Sequence, residues 1–255
     1  EFTEILNRVK ERHKSMPKNI NERILIFDGM NTFIRIFSVN PQTNDDGLHI
    51  GGLSGTLKSI AKTIRDFAPT RCIIVFDGKG GSARRRKIYP NYKLKRSKPK
   101  KMRLNRAYDF QGSNEEEHEA MKRQLVRMVQ YLECLPVTTV VADNVEADDV
   151  IAYIIQKLVN ESGSSAEAKA AASAIIVSTD KDFLQLVNDS VSVWSPTKKI
   201  LYNPDAVWQE YGMIPQNFLT FRLIDGDASD EITGIKGVGI KTLQKWFPKI
   251  CETES

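Results

Sequence analysis

Ile24-Leu25-Ile26-Phe27-Asp28 is the stretch on which the fold turns, because the chain repeats it in kind twice more. Cys72-Ile73-Ile74-Val75-Phe76 runs into Asp77, and Ile175-Ile176-Val177-Ser178-Thr179 into Asp180. Each is a short apolar run of strand type that ends in an aspartate. In an open parallel sheet the carboxyl ends of the strands share one edge, and ligands bind there. Three carboxylates on that edge repel one another unless a cation lies between them.

Outward from these runs, 137–141 and 191–194 also read as strands, and helical stretches separate most of them. Leu53 to Phe67 places apolar residues at 53, 57, 60, 64 and 67, a one-sided helix. Asn114 with Glu117 marks a second helix start, with Glu115 and Glu116 at the favourable dipole end. Val145 to Val159 is a third helix that begins with its acids. Strands alternating with helices predict an α/β fold with a mainly parallel central sheet. Residues 1–22 read as an accessory helix, 23–202 as the α/β core, and 203–255 as a helical unit. Residues 161–173, rich in Ser, Gly and Ala, read as an exposed connection. Residues 79–113 are too long for an ordinary βα loop.

The 255 residues carry 37 Lys and Arg against 32 Asp and Glu, a net charge of +5 that hides an asymmetry. Between Lys79 and Arg106 there are 13 basic residues and no acid; without them, 24 basic residues face 32 acidic ones. A basic segment on an acidic body points to a polyanionic partner beside a cation site, and a solvated basic loop is the plainer alternative. The longest apolar runs are only strand-sized, which predicts no transmembrane helix. Cys72, Cys134 and Cys251 are scattered and read as reduced thiols in a cytoplasmic compartment. His13, His49 and His118 are equally scattered, so neither a zinc site nor a Ser-His-Asp arrangement has material.

The acids supply a different chemistry. Glu146, Asp148 and Asp149 open a helix, Asp180 and Asp182 follow a strand, and Asp227 and Asp230 form a further pair. Magnesium takes oxygen ligands and only one or two carboxylates directly, so these acids with Asp28 and Asp77 suffice for two ions. Helix capping is the alternative for the acids at 146–149 and 180–182. Two hard cations in one cleft suit phosphoryl chemistry. Gly234-Ile235-Lys236-Gly237-Val238-Gly239 is not a phosphate-binding P-loop, because the lysine comes one place too late. Its glycines suit a hairpin that approaches a nucleic-acid backbone, and equally an ordinary tight turn.

Six pieces in order, Phe27-Asp28-Gly29-Met30-Asn31, Phe76-Asp77-Gly78-Lys79, Tyr89-Pro90-Asn91-Tyr92-Lys93, Val145-Glu146-Ala147-Asp148-Asp149, Ser178-Thr179-Asp180-Lys181-Asp182 and Gly226-Asp227-Ala228-Ser229-Asp230, resemble the 5′-nuclease (flap endonuclease) family and, more loosely, its phage members. The resemblance implies a PIN-like α/β nuclease core, a helical arch at 79–113 and a C-terminal helix-hairpin-helix. It implies a first metal site at Asp28, Asp77, Glu146 and Asp148, a second at Asp180, Asp182, Asp227 and Asp230, and Asp149 at or between them. Lys93 matches the arch lysine that meets the scissile phosphate, with Arg85 and Arg96 on further basic positions. DNA contacts are implied at Arg84, Arg86, Tyr92, Lys95, Lys236, Gly237, Gly239 and Lys241.

The expected activity is structure-specific 5′-nuclease action on flaps and on RNA or DNA primers in replication, including RNA in RNA–DNA duplexes. The expected cofactors are two Mg²⁺ ions, with Mn²⁺ as a substitute and K⁺ at the hairpin. The expected partners are branched or flapped DNA, RNA–DNA duplex, a clamp and a single-strand-binding protein, with the chain a monomer and no membrane involved. A PIN-like ribonuclease and a junction-binding protein without catalysis are the alternatives. Glu231 stands where the family usually has Asn. Ser255 follows the hairpin closely, so a C-terminal helical region that often completes the duplex-binding face is expected to be missing.

Overall fold

The computed structural model describes residues 22–94, 104–110, 112–160 and 172–248. The expected accessory helix, apart from Glu22, therefore lies outside the described residues, as do Lys95, Arg96, Cys251 and most of the 161–173 connection. Glu22 itself belongs to the first strand.

The strands are β1 (Glu22–Asp28), β2 (Arg71–Asp77), β3 (Thr138–Ala142), β4 (Ala172–Val177), β5 (Val191–Ser195) and β6 (Ile200–Tyr202). They form one sheet in the order β3-β2-β1-β4-β5-β6, in which every neighbouring pair is parallel except β5 with β6. The antiparallel edge strand β6 carries no signal strong enough for sequence reading, being three residues long with two of them exposed.

The apolar runs are continuous because both faces of the sheet are covered. Side chains alternate across a strand, and the two buried clusters sort by that alternation. Ile24, Ile26, Ile73, Val75, Ile176 and Val193 face one cluster, while Leu25, Phe27, Cys72, Ile74, Phe76 and Val177 face the other. Helices α1 (Gly29–Phe37), α2 (Gly51–Phe67) and α4 (Asn114–Glu133) cover the second face. Helix α5 (Ala147–Ile155), continued by a wider π turn to Asn160, covers the first. α3 (Ala83–Ile88) is a short helix in the basic segment and buries none of its residues.

Helix α4 starts one place earlier than the acids suggest. Ser113 is its cap, accepting from the Glu116 amide at 3.2 Å. Glu117 turns inward instead and accepts from the Leu104 and Asn105 amides, fastening the return limb of the basic segment to the core. The stretch after Asp180 is a 3-10 helix, Lys181–Leu186, capped by Asp180.

The helices α6 (Pro204–Tyr211), α7 (Phe218–Asp225) and α8 (Ile240–Trp246) complete the described chain. Val207, Met213, Phe218, Phe221 and Leu243 lie in the same buried cluster as the strand residues. Between α7 and α8 a two-residue pair, β7 (Gly226–Asp227) and β8 (Ile232–Thr233), frames a tight loop. Among the described residues no helix is long and apolar enough to cross a membrane.

Candidate active site

Asp28 closes β1 and Asp77 closes β2, so both carboxylates reach the sheet edge that the apolar runs predict. The strand order reverses between β1 and β4, and the crevice of such a sheet opens at that reversal. Asp28 sits there, with Ser178, just past β4, donating its hydroxyl to the carboxylate at 3.2 Å. Each aspartate is followed by glycine for a steric reason. A Cβ on Gly29 would come 2.8 Å from the Val75 carbonyl oxygen, and one on Gly78 would come 2.0 Å from that of Ala142.

The remaining acids cap helices or brace turns as well as lining the site. Asp28 accepts from the Asn31 amide and Asp77 from the Ala147 amide, which holds the start of α5 against the strand ends. Glu146 occupies the cap position of α5, with Asp148 and Asp149 in its first turn. Asp180 accepts from the Asp182 amide at 2.9 Å. Asp227 accepts from the Ser229 and Asp230 amides across the β7–β8 loop. Asn31 ties α1 to this edge, accepting from the Thr179 amide and hydroxyl.

Three cationic side chains reach into the acids. Arg85 on α3 donates to both oxygens of Asp149 at 2.8 Å and to Glu146 at 2.5 Å, and stands 3.7 Å from Asp148. Lys93 donates to Glu146 at 2.8 Å and stands 3.8 Å from Asp230. Arg222 on α7 joins Asp182 at 2.6 Å to Asp227 at 2.7 Å. Tyr92, buried, completes the environment of Glu146 through its hydroxyl at 2.8 Å. Asp148, Asp182, Asp227, Asp230, Arg85 and Tyr92 all line one cavity of about 460 Å³.

The charges are only partly balanced. Burial, with Asp77 and Asp180 nearby, pushes Asp28 up to about 6. Burial also raises Asp148 to about 6, where Arg85 opposes the shift and Glu146 and Asp149 reinforce it. Asp180 is raised by burial and then by Asp182, Asp227 and Asp230. Burial would raise Glu146 too, but Lys93, Tyr92 and Arg85 overcome it and hold the carboxyl below its ordinary range. Asp227 is likewise held low, because the Ser229 and Asp230 contacts and Arg222 outweigh its burial.

This donor set fits hard divalent cations: it is all carboxylate, and three of its members carry charge that the surrounding protein leaves uncompensated. Among the described residues, no three acid, cysteine or histidine side chains already converge as a ready-made chelate. Many of the acids are engaged with Arg85, Lys93 and Arg222 instead. Asp28, Asp77, Glu146 and Asp148 are the candidates to hold one cation and Asp180, Asp182, Asp227 and Asp230 the other, directly or through water, with Asp149 at or between them.

The other expected contact residues scatter more widely. Arg84 and Arg86 are exposed on α3, and Arg86 donates to the Tyr92 carbonyl. Lys236, Gly237 and Lys241 are exposed and Gly239 is half-buried, around the turn that leads into α8. Gly237 has φ +80°, a left-handed position that favours glycine. Arg222 escaped sequence reading altogether; its one signal is a lone arginine five places before Asp227 on a largely apolar helix.

A parallel sheet with carboxylates at its switch point and a basic segment reaching over them defines a phosphodiester-processing class of protein. Residues 23–212 match the family described as 5'-3' exonuclease, N-terminal resolvase-like domain, and the chain belongs to that family. It is 33% identical over 220 residues to a flap endonuclease Xni of Shewanella denitrificans, covering 86% of this chain and 74% of that protein. A 5'-3' exonuclease of Bacillus subtilis is 28% identical, over 88% of this chain and 69% of its own length. DNA polymerase I of Mycobacterium bovis is 30% identical over 88% of this chain, which spans only 22% of that larger protein. The fold is that of the T5 D15 protein crystallised with metal ions, at a TM-score of 0.68 and 23% identity, covering 89% of this chain and 76% of that one.

Proposed function

We propose that the chain is a structure-specific 5′-nuclease that hydrolyses phosphodiesters near junctions of single- and double-stranded DNA. The observation that carries this reading is the cavity in which Asp148, Asp182, Asp227 and Asp230, drawn from both acid clusters, meet Arg85 and Tyr92 of the basic segment. Two Mg²⁺ ions, or Mn²⁺ in their place, would supply there a nucleophilic water at neutral pH and charge stabilisation for an in-line displacement. The chain's own part is to place the phosphate. Lys93 and Arg85 are the cations best set to receive it, because both already reach the carboxylates that line the cleft. Tyr92, bonded to Glu146, and the first turn of α5 keep Asp148 at the cavity wall.

Arg84 and Arg86 extend the basic track along the nucleic acid; Lys95 and Arg96, expected to join them, lie outside the described residues. Residues 203–255 form the duplex-binding side, with Lys236, Gly237, Gly239 and Lys241 at a hairpin that grips the backbone and takes K⁺. The biological substrate is flaps and RNA or DNA primers at replication forks, met alongside clamp and single-strand-binding proteins by a monomeric enzyme. In the DNA polymerase I relatives this segment is about a fifth of the protein, and the same domain acts there in a larger frame.

The test is cleavage of a 5′-flap duplex with Mg²⁺ beside a single-stranded RNA of matched sequence. Cutting near the flap junction, with the RNA spared, is the expected result. Binding of the flap without cleavage, or equal cutting of the RNA, overturns the reading; the second outcome points to a PIN-like ribonuclease.

A further inference from the structure

The residues between α3 and Leu94 do more than approach the acids: they bridge the two clusters. Both oxygens of Glu146 are engaged, Oε1 by Lys93 and Oε2 by Arg85 and Tyr92. Arg85 also takes both oxygens of Asp149. On the far side, the Lys93 amide donates to the Asp230 carbonyl at 3.1 Å, and the Tyr89 hydroxyl donates to the Glu231 carbonyl at 3.1 Å. One short stretch is thus pinned to the start of α5 and to the β7–β8 loop at once.

The bridge is built from strained backbone. Lys93 has φ +53° and Glu231 has φ +64°, left-handed conformations that a side chain makes costly. Such conformations persist only where surrounding contacts impose them. Here those contacts are largely ion pairs and hydrogen bonds to groups that cations and phosphates would also claim.

We propose that residues 85–93 are a strap that bars the cleft while no nucleic acid is bound, with Arg85 and Lys93 serving as tethered counterions. A phosphodiester that takes over these two cations releases Glu146, Asp148, Asp149 and Asp230 to divalent metal. Nucleic acid therefore raises the affinity for metal, and metal raises the affinity for nucleic acid by the same factor. The inference rests on the nuclease reading and adds an order of events to it: the metal sites fill fully only once the strap has been drawn off.

The experiment is Ca²⁺ binding by calorimetry to the full chain without DNA, with amide hydrogen exchange read over 85–94. Arg85→Gln and Lys93→Gln are each expected to bind Ca²⁺ about tenfold more tightly than wild type, since each removes a cation that occupies the Glu146 carboxylate and repels the incoming ion. Lys122→Gln, exposed on α4 and paired there with Glu119, is expected to stay near wild type, and the charge-conserving Arg85→Lys to fall between wild type and Arg85→Gln. Addition of Ca²⁺ is expected to speed exchange at the Lys93 amide. Unchanged or weaker Ca²⁺ binding in both glutamine variants, or a Lys93 amide equally protected with and without Ca²⁺, overturns the strap. If wild type still takes up Ca²⁺ and cuts flap DNA with Mg²⁺, the nuclease reading survives that failure. Absence of Ca²⁺ uptake by every variant removes both.

Discussion

The two acid clusters meet at one cavity, through Asp148 of the first and Asp182, Asp227 and Asp230 of the second, and differ in how they are built. Asp28 and Asp77 stand at the ends of buried strands, and Glu146, Asp148 and Asp149 at the start of a helix whose next turns are packed into the core. Arg85 and Lys93, the countercharges of Glu146, come from a separate segment 61 and 53 residues earlier in the chain. Asp180, Asp182, Asp227 and Asp230 stand instead on a 3-10 turn and a tight loop, and their main countercharge, Arg222, belongs to the helix just before that loop. The first cluster is positioned by the sheet and neutralised by a removable partner. The second is positioned by its own cation.

The sharpest way to break this pairing is to remove one first-cluster carboxylate. Asp148→Asn is expected to cut Mg²⁺-dependent flap cleavage by about 10²–10³-fold or more, on the scale of losing one preorganised electrostatic group. Flap binding, read by fluorescence anisotropy, should survive, because the basic segment is untouched. Loss of binding and of the folded signal together would mean misfolding instead.

Arg222→Gln tests the second cluster's dependence on its own cation. Losing two charge-assisted hydrogen bonds from a largely buried guanidinium is expected to destabilise the chain by about 2 kcal/mol, read as a urea midpoint shift. Arg222→Lys should recover only part of this, since an ammonium lacks the fork that spans Asp182 and Asp227. A full recovery would show that charge alone holds the pair.

A smaller effect separates the clusters by pH. Asp28 and Asp148 are both pushed up to about 6 from 3.8. Between those values the native state holds protons that the unfolded chain has lost, so metal-free stability falls as pH rises through that window. Glu146 has the opposite sign: held low, it contributes stability above its ordinary value that is lost as pH falls. Asp28→Asn should therefore stabilise the metal-free chain at neutral pH by about 1 kcal/mol after discounting for partial exposure, roughly 2–4 °C in Tm. Ca²⁺ should raise Tm more at about pH 7.5 than at about pH 5, where it must displace protons. Equal shifts at the two pH values would contradict the assignment of uncompensated charge to these residues.

The smallest expected effect is a gain. Glu231 holds φ +64°, a conformation that asparagine tolerates better. Glu231→Asn should stabilise the chain by about 0.5–1 kcal/mol, because the Tyr89 contact is to the backbone carbonyl and remains.

The first cluster was legible for the reason that it is rigid. At Asp28 and Asp77 an apolar run ending in aspartate states both the strand and the position of the carboxylate, whereas the third run ends as β4 at Val177 and leaves Asp180 three residues beyond it, at the cap of the 3-10 helix. Glu146, Asp148 and Asp149 were legible as a helix start, though not that Glu146 would be the cap and be wrapped by Tyr92, Arg85 and Lys93. The second cluster was legible only as acids in turns. Its organising residue, Arg222, carries no local pattern, because its role depends on a contact with Asp182, 40 residues away. The edge strand β6 and the inward turn of Glu117 were missed for the same reason: each is settled by a tertiary partner, not by its neighbours in sequence.

The central claim is that these two differently built clusters are two cation sites serving one cleft. Mn²⁺ stoichiometry, measured by calorimetry on the full chain with a non-hydrolysable 5′-flap duplex bound, tests it most directly. The account predicts two ions per chain in wild type, with Asp148→Asn and Asp227→Asn each losing one. A single ion in wild type, or loss of the same ion in both variants, would contradict it.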